Sequence, residues 1–364
     1  MNAPEGKEES VAENTIPNKT GHTAVAVDLA KNVFELAISE IPGRVSGRKR
    51  LKRAERMPFF AQLPRATVLL EACGSAHHWA RSISELGHRV VLLPPHRTSK
   101  YRDGSKTDRS DTKAMLEAFR NESVFPVPVK SIEQQSLALL HRLRSAWKQT
   151  RTARLNTLRG ILRELGLTIP VGAAQVIPAV WSQVEDADST LPDALRPFLV
   201  ELCQEIRDCE RRLLDAERQL DLLGRQIPAV EYLLSIPGIG PLTATALVAF
   251  VGDIHRFASG RRFSSYLGLV PKERSSGDTR RLGKITKRGD TYLRMLLIHG
   301  ARAVLWAAKS KRNPDALSAW ALHVEAQRGH NKAAVAVANK LARIAWSVWR
   351  DARRYEVRSI RAAA

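Results

Sequence analysis

The chain is poor in cysteine, in aromatic side chains and in acids, and each shortage excludes something. Its three cysteines, Cys73, Cys203 and Cys209, are odd in number and lie at no metal-ligand spacing. That argues against a disulfide framework and a zinc site and suits a reducing cytoplasm. The histidines, including the pair His77-His78, follow no zinc pattern either and are expected to be structural or solvent-facing. No Gly-Lys-Ser/Thr phosphate loop occurs, so ATP hydrolysis is not indicated. No long apolar run is present, and the first twenty residues are polar, so neither a membrane span nor export is expected. Asp and Glu number 37 against 58 Lys and Arg, a net charge of +21. Such a balance predicts a polyanionic partner, nucleic acid first among them. Charge alone does not choose the activity, because a structural RNA-binding protein would show the same excess.

What is present is enough for a proper core: 364 residues with 44% hydrophobic content suit two or three domains. After a polar leader, residues 1–20, expected to be disordered, structure is expected from His22. The runs 22–28 and 33–39 read as two strands joined by a turn, followed by a basic third strand near 44–51 and a short helix. The run 66–74 reads as a buried strand ending in a glycine turn, with strands on both sides. A helix over 76–86, a strand over 89–94 and a helix opening near Thr107 complete an α/β layer with a mixed sheet.

Four carboxylates stand out in this layer. Asp28 and Glu71 each end a strand, while Asp108 and Asp111 are three apart at a helix start, on one face of its first turn. Taken singly, each has a plain explanation: a turn acid, a strand-end carboxylate, or first-turn acids complementing the helix dipole behind a Thr107 cap. Together, at the strand ends of an open α/β sheet, they suit a pair of divalent cations. Oxygen-only ligands favour Mg²⁺, with Mn²⁺ as the second choice.

Residues 131–165 read as one long helix with Leu140, Leu143, Trp147, Leu158 and Leu162 along an apolar face. Arg144, Lys148, Arg151 and Arg159 form a neighbouring basic stripe, suited to phosphates or simply to solvent. A Pro- and Gly-containing connection over 167–192 leads to a second helix over 193–223, able to pair with the first or with another subunit. The segment 233–250 reads as helix, Pro-Gly-Ile-Gly turn and helix, resembling the helix-hairpin-helix motif, with Gly238 and Gly240 letting backbone amides approach a phosphate.

Residues 261–294 then hold ten Lys or Arg and three acids. Lys272, Arg274, Arg280, Arg281, Lys284, Lys287 and Arg288 are the candidate nucleic-acid contacts, surrounding a turn that contains Ser275-Ser276-Gly277. On spacing alone an ordinary Ser-Gly turn explains it. Apolar helices over 291–308 and 332–349 are expected to back this loop.

The segments Val25 to Asn32, Leu70 to Gly74, Lys106 to Asp111 and the block from Gly268 to Gly289 together resemble the DEDD transposases of the insertion-sequence family numbered one hundred and ten. The Piv-type invertases share that plan. The likeness runs from about residue 22 to 350. It implies a RuvC-like domain of RNase H fold over 21–130, a helical coiled-coil arm over 131–225, and a mainly α C-terminal transposase domain over 226–355. A tail, 356–364, would follow. It implies that Asp28, Glu71, Asp108 and Asp111 hold the metal, and that Ser275 or Ser276 is a nucleophile forming a covalent link to DNA. Ser276 is preferred because the Ser-Gly pair recurs in the family's motif; Asp278 stands where a second glycine is common.

The resemblance also implies a bacterial, nucleoid-associated recombinase working on target and donor DNA, guided by a bridge RNA pairing with both. Composite sites in a dimer or tetramer are expected. The competing readings are a RuvC-type junction nuclease that hydrolyses with water, and a non-catalytic nucleic-acid-binding protein.

Overall fold

A computed structural model describes residues 23–42 and 44–357 of the chain. The expected leader, and the tail beyond 357, lie outside the described residues. The chain divides into two compact units, with the boundary between Val129 and Lys130.

The first unit is built on β1 (Ala24–Leu29), β2 (Val33–Ser39) and β3 (Gly47–Lys52), an antiparallel meander. After α1 (Arg56–Gln62), β4 (Thr67–Glu71) returns parallel to β1. After α2 (Ala76–Glu85), β5 (Arg89–Leu93) lies parallel to β4. The short α3 (Pro95–Thr98) leads to α4 (Asp108–Arg120). Strand order is β3-β2-β1-β4-β5, so β4 has a strand on each side, as its apolar run predicts.

Side chains alternate faces along a strand, and here both faces are buried. Val25, Val27, Phe34, Leu36, Val68 and Leu70 pack with Phe60, Ala80 and Ile83 of α1 and α2. Ala26, Ala37, Leu69, Val91 and Leu93 pack with Met115 and Leu116 of α4. By the same parity Asp28, Glu35 and Glu71 belong to the α4 face, at the end of the sheet where the apolar run stops.

The second unit opens with α5 (Ile132–Glu164), α6 (Val176–Glu185) and α7 (Arg196–Gly224). Ser131 and Gln134 form a capping box that starts α5 where the sequence places it. α5 and α7 run antiparallel, tied by Arg144–Glu217 at 2.6 Å, Arg151–Glu210 at 2.5 Å and Arg154–Glu205. The segment 167–192, expected to be a plain connection, contains α6. Its Val176 and Val180 close an apolar cluster with Leu158, Leu162, Leu199 and Ile206.

Then follow α8 (Pro228–Leu234), α9 (Pro241–Val251), α10 (Gly260–Tyr266) and the hairpin of β6 (Pro271–Glu273) and β7 (Leu282–Ile285). The unit ends with α11 (Thr291–Lys309), α12 (Ala316–Arg328) and α13 (His330–Arg350). These helices share one core around Leu247, Phe263, Leu297, Val337 and Leu341. Among the described residues, no helix is long and apolar enough to cross a membrane.

Candidate active site: an acid cluster and a serine hairpin

The acid cluster follows from register. Val27 pairs with Leu70 across the parallel strands, so one step further along, Asp28 and Glu71 stand side by side on the α4 face. Helix α4 begins above them because Thr107 caps it: the Thr107 hydroxyl accepts from the Ser110 N–H at 3.2 Å, and Ser110 Oγ accepts from the Thr107 N–H at 3.0 Å. Asp108 and Asp111 thus occupy the first turn, as the sequence predicts.

The four carboxylates feel one another. Asp28 is half-buried, and its carboxyl is pushed up to about 6 from 3.8, by burial first and then by Asp108, Asp111 and Glu71. Glu71 is steadied by the Thr98 hydroxyl, which donates to it at 2.9 Å. Asp111 is ion-paired to Arg102. Asp108 is exposed, and its carboxylate has no hydrogen-bond or ion-pair partner among the described residues.

The donors fit a hard divalent cation in kind: all are carboxylate oxygens, and their mutual repulsion is what a cation relieves. Their gathering is looser than a closed ligand shell. Among the described residues, no three His, Cys, Asp or Glu side chains stand close enough to hold an ion between them. Arg102 supplies the positive charge next to Asp111.

Sequence reasoning missed the surroundings of this cluster. Glu35 lies directly opposite Asp28 in the β1–β2 pair and is ion-paired to Arg50 at 3.8 Å and Arg109 at 3.9 Å. The signal was available, since cross-strand partners in an antiparallel hairpin share a face. Glu35, Arg48, Lys49, Arg50, Asp108 and Arg109 line an open cavity of about 440 Å³. Beneath the cluster, buried Arg56 stacks on Phe34 at 3.6 Å and donates to the carbonyls of Ala30 and Lys31 at 3.2 and 3.4 Å. It thereby holds the turn that follows Asp28.

The serine stretch forms the tip of the β6–β7 hairpin. Ser276 and Thr279 exchange backbone hydrogen bonds of 3.3 and 3.2 Å around Gly277-Asp278, with Gly277 at φ +55°. A two-residue loop whose first central residue is left-handed needs glycine there. The two serines differ. Ser275 Oγ donates to Glu273 at 2.7 Å and accepts from the Arg281 N–H at 3.2 Å, whereas the exposed Ser276 hydroxyl has no hydrogen-bond partner among the described residues.

The hairpin's base is pinned. A Cβ on Gly268 would lie 1.9 Å from the Arg288 carbonyl oxygen, and one on Gly289 1.9 Å from that of Tyr266. Buried Arg294 of α11 donates to Leu267 O and Arg288 O, each at 3.2 Å. Lys272, Arg274, Arg281, Lys284, Lys287 and Arg288 are exposed around it, and among the described residues no carboxylate pairs with them; Arg280 reaches Glu273 at 3.5 Å.

The remaining candidate residues sit in surroundings that the sequence did not show. Gly238 is a packing residue: its φ is +82°, and a Cβ there would meet Gly300 O of α11 at 2.6 Å, so the turn is tight because a helix lies against it. Gly240, exposed at the start of α9, has nothing within 4 Å of its Cβ position. The stripe on α5 is not open either: Arg144 and Arg151 pair with α7, and Arg159 donates to Gly172 O at 2.8 Å. Of the four, Lys148 is exposed and has no carboxylate partner among the described residues. The expected apolar face also differs, since Leu143 is 47% exposed and ion pairs join the middle of the two helices.

Comparison with known proteins gives two family matches. Residues 18–166 match the DEDD model of the IS110 group, described as "Transposase", and residues 230–316 match the model described as "Transposase IS116/IS110/IS902 family". A "Probable family 20 transposase" of Pseudomonas aeruginosa is 43% identical over 325 residues, 89% of this chain and 96% of the relative. The "Transposase for insertion sequence element IS1111A" of Coxiella burnetii is 37% identical, covering 89% of this chain and 88% of its own length. The corresponding protein of element IS1328 in Yersinia enterocolitica is 34% identical, covering 90% and 96%.

Proposed function

The chain belongs to the IS110 family of transposases, and from that membership we propose that it cuts and rejoins DNA by transesterification at Ser276, using Asp28, Glu71, Asp108 and Asp111 as the metal-holding acids. The observation that carries the reading is electrostatic. At two parallel strand ends and one capped helix start, burial first and then the charges of Asp108, Asp111 and Glu71 raise the Asp28 carboxyl to about 6, a cost a purely structural site would avoid. A divalent cation, Mg²⁺ or Mn²⁺, bound there would stabilise the charge developing on the phosphate and leaving oxygens. Asp111 would exchange Arg102 for that charge.

In this reading the Ser276 hydroxyl attacks phosphorus. Its O–P bond forms as the bond from phosphorus to a deoxyribose oxygen breaks. The serine proton leaves, and the departing oxygen takes one up, so the phosphodiester energy is kept in a phosphoserine link. The exposed cations of the hairpin hold the flanking phosphates. Ser275, bonded to Glu273 and Arg281, shapes the loop. A second assignment is favoured by the 2.7 Å contact from Ser275 to Glu273, in which that carboxylate is a base for Ser275.

The strand order of the first unit suits an RNase H-like, RuvC-type domain. The reading includes a bridge RNA pairing with donor and target DNA, and a dimer or tetramer in which the serine of one copy serves the acids of another.

Denaturing electrophoresis tests it. Wild type should form a denaturant-resistant protein–DNA adduct in Mg²⁺, lost in Ser276→Ala and kept in Ser275→Ala; the reverse pattern selects Ser275. Undiminished hydrolysis in the double Ala variant overturns the serine mechanism.

A further inference from the structure

α10, α13 and the residues after α13 enclose a cavity of about 790 Å³ in the second unit, away from the serine hairpin in its lining residues. Five cations line it, Arg261, Lys340, Arg343, Arg353 and Arg354, against one acid, Glu356. Arg353 and Arg354 are already paired, with Asp351 and Glu231. Arg261, Lys340 and Arg343 have no carboxylate partner among the described residues, and Arg261 and Arg343 are exposed.

The fold brings these like charges together deliberately. At Gly260 a Cβ would lie 3.2 Å from both Cα and O of Arg343, so glycine lets α10 close onto α13 and sets Arg261 beside Arg343. Lys340 is half-buried with its ammonium 4.0 Å over the Trp320 ring, and burial together with Arg343 holds its pKa below the ordinary range. The walls are fixed as well. Trp346 Nε1 donates to Phe257 O at 3.0 Å, and the Tyr355 N–H donates to Ser235 Oγ at 2.7 Å, drawing the segment after α13 across the site.

Three cations on two helices in one concavity, with no carboxylate partner among the described residues, repel one another until an anion joins them. A cavity of this size exceeds a single phosphate group and is in the range of a small-ligand site. We propose that it is a second binding station for a DNA strand, in which Arg261, Lys340 and Arg343 contact backbone phosphates. The inference rests on the transposase reading only for the identity of the polymer, and it involves neither the acid cluster nor the serines.

The test uses the full-length protein and a labelled single-stranded DNA oligonucleotide, with anisotropy measured between about 50 and 200 mM salt. Each lost phosphate contact lowers the log–log salt slope by about 0.7 on a single strand. Arg261→Ala with Arg343→Ala should therefore reduce the slope by about 1.4 and weaken low-salt binding several-fold. The control, Arg211→Ala with Arg218→Ala, removes two exposed cations already paired with Asp208 and Asp215 and should leave the slope unchanged. An unchanged slope in the cavity variant, or an equal fall in the control, overturns the station while leaving the transposase reading intact. A slope that falls for an RNA oligonucleotide of the same sequence and not for DNA also overturns it. Wild type that binds no DNA overturns the station and the transposase reading together. Both residues are exposed, and an unchanged melting temperature confirms that the variants are folded.

Discussion

Asp28→Asn removes a charge from the acid cluster while keeping the side chain's shape. The Asp28 carboxyl moves from 3.8 to about 6. At about 1.36 kcal/mol per pKa unit this is roughly 3 kcal/mol, and because the group is only half-buried, solvent screening reduces it to about 1 kcal/mol. The sign follows from linkage: a carboxyl with a raised folded-state pKa contributes stability below about 3.8 that is lost as pH rises through about 6. At neutral pH the charged Asp28 therefore strains the first unit. In EDTA near neutrality the Asn variant should be the more stable by about 1 kcal/mol, read as slower hydrogen exchange in the β1 and β4 peptides. The gap should close below pH 4. Mg²⁺ should stabilise wild type more than the variant, because the cation relieves the same repulsion, and strand cleavage should fall by about two orders of magnitude or more. Equal exchange in variant and wild type at neutral pH, or an undiminished Mg²⁺ effect, would refute the reasoning.

His141 is buried and bonded to Tyr292 at 3.0 Å and Thr245 at 3.1 Å, and burial, then Arg144, lowers its pKa to about 4. Its depressed pKa means that stability is lost as pH falls from 6.5 toward 4, by about 3 kcal/mol; His141→Gln should flatten that part of a urea-denaturation pH series. Gly238→Ala should cost about 2 kcal/mol or more, measured by calorimetry, since the methyl meets Gly300 O and must adopt a positive φ. Arg144→Met with Arg151→Met should lower stability by about 1 kcal/mol or less per ion pair and leave the DNA-binding salt slope unchanged, because both cations already face Glu217 and Glu210.

Much of the molecule was legible in one dimension. Period-two alternation locates β1 and β2, with β2 matching its expected span of 33–39. The Thr107 and Ser131 capping boxes mark the starts of α4 and α5, because caps are local chemistry. The helix Val176–Glu185 was not legible: proline and glycine on either side mask a short apolar segment that is helical because it closes the α5–α7 cluster. The packing of α11 against Gly238 was not legible for a related reason. A left-handed glycine says that the chain turns, and not whether a phosphate or a neighbouring helix lies against the turn.

The sequence by itself determined the charge balance, the residue types of the acid cluster and their local frames, since Asp108 and Asp111 share a helical turn whatever surrounds them. Tertiary structure decided their meaning. Parallel pairing of β1 with β4 set Asp28 beside Glu71 although 43 positions separate them in the chain. The same level of structure took Arg144 and Arg151 out of the basic surface and left Arg261, Lys340 and Arg343 within it. Coulomb interactions act over a few ångströms of space, and sequence separation alone does not set that distance.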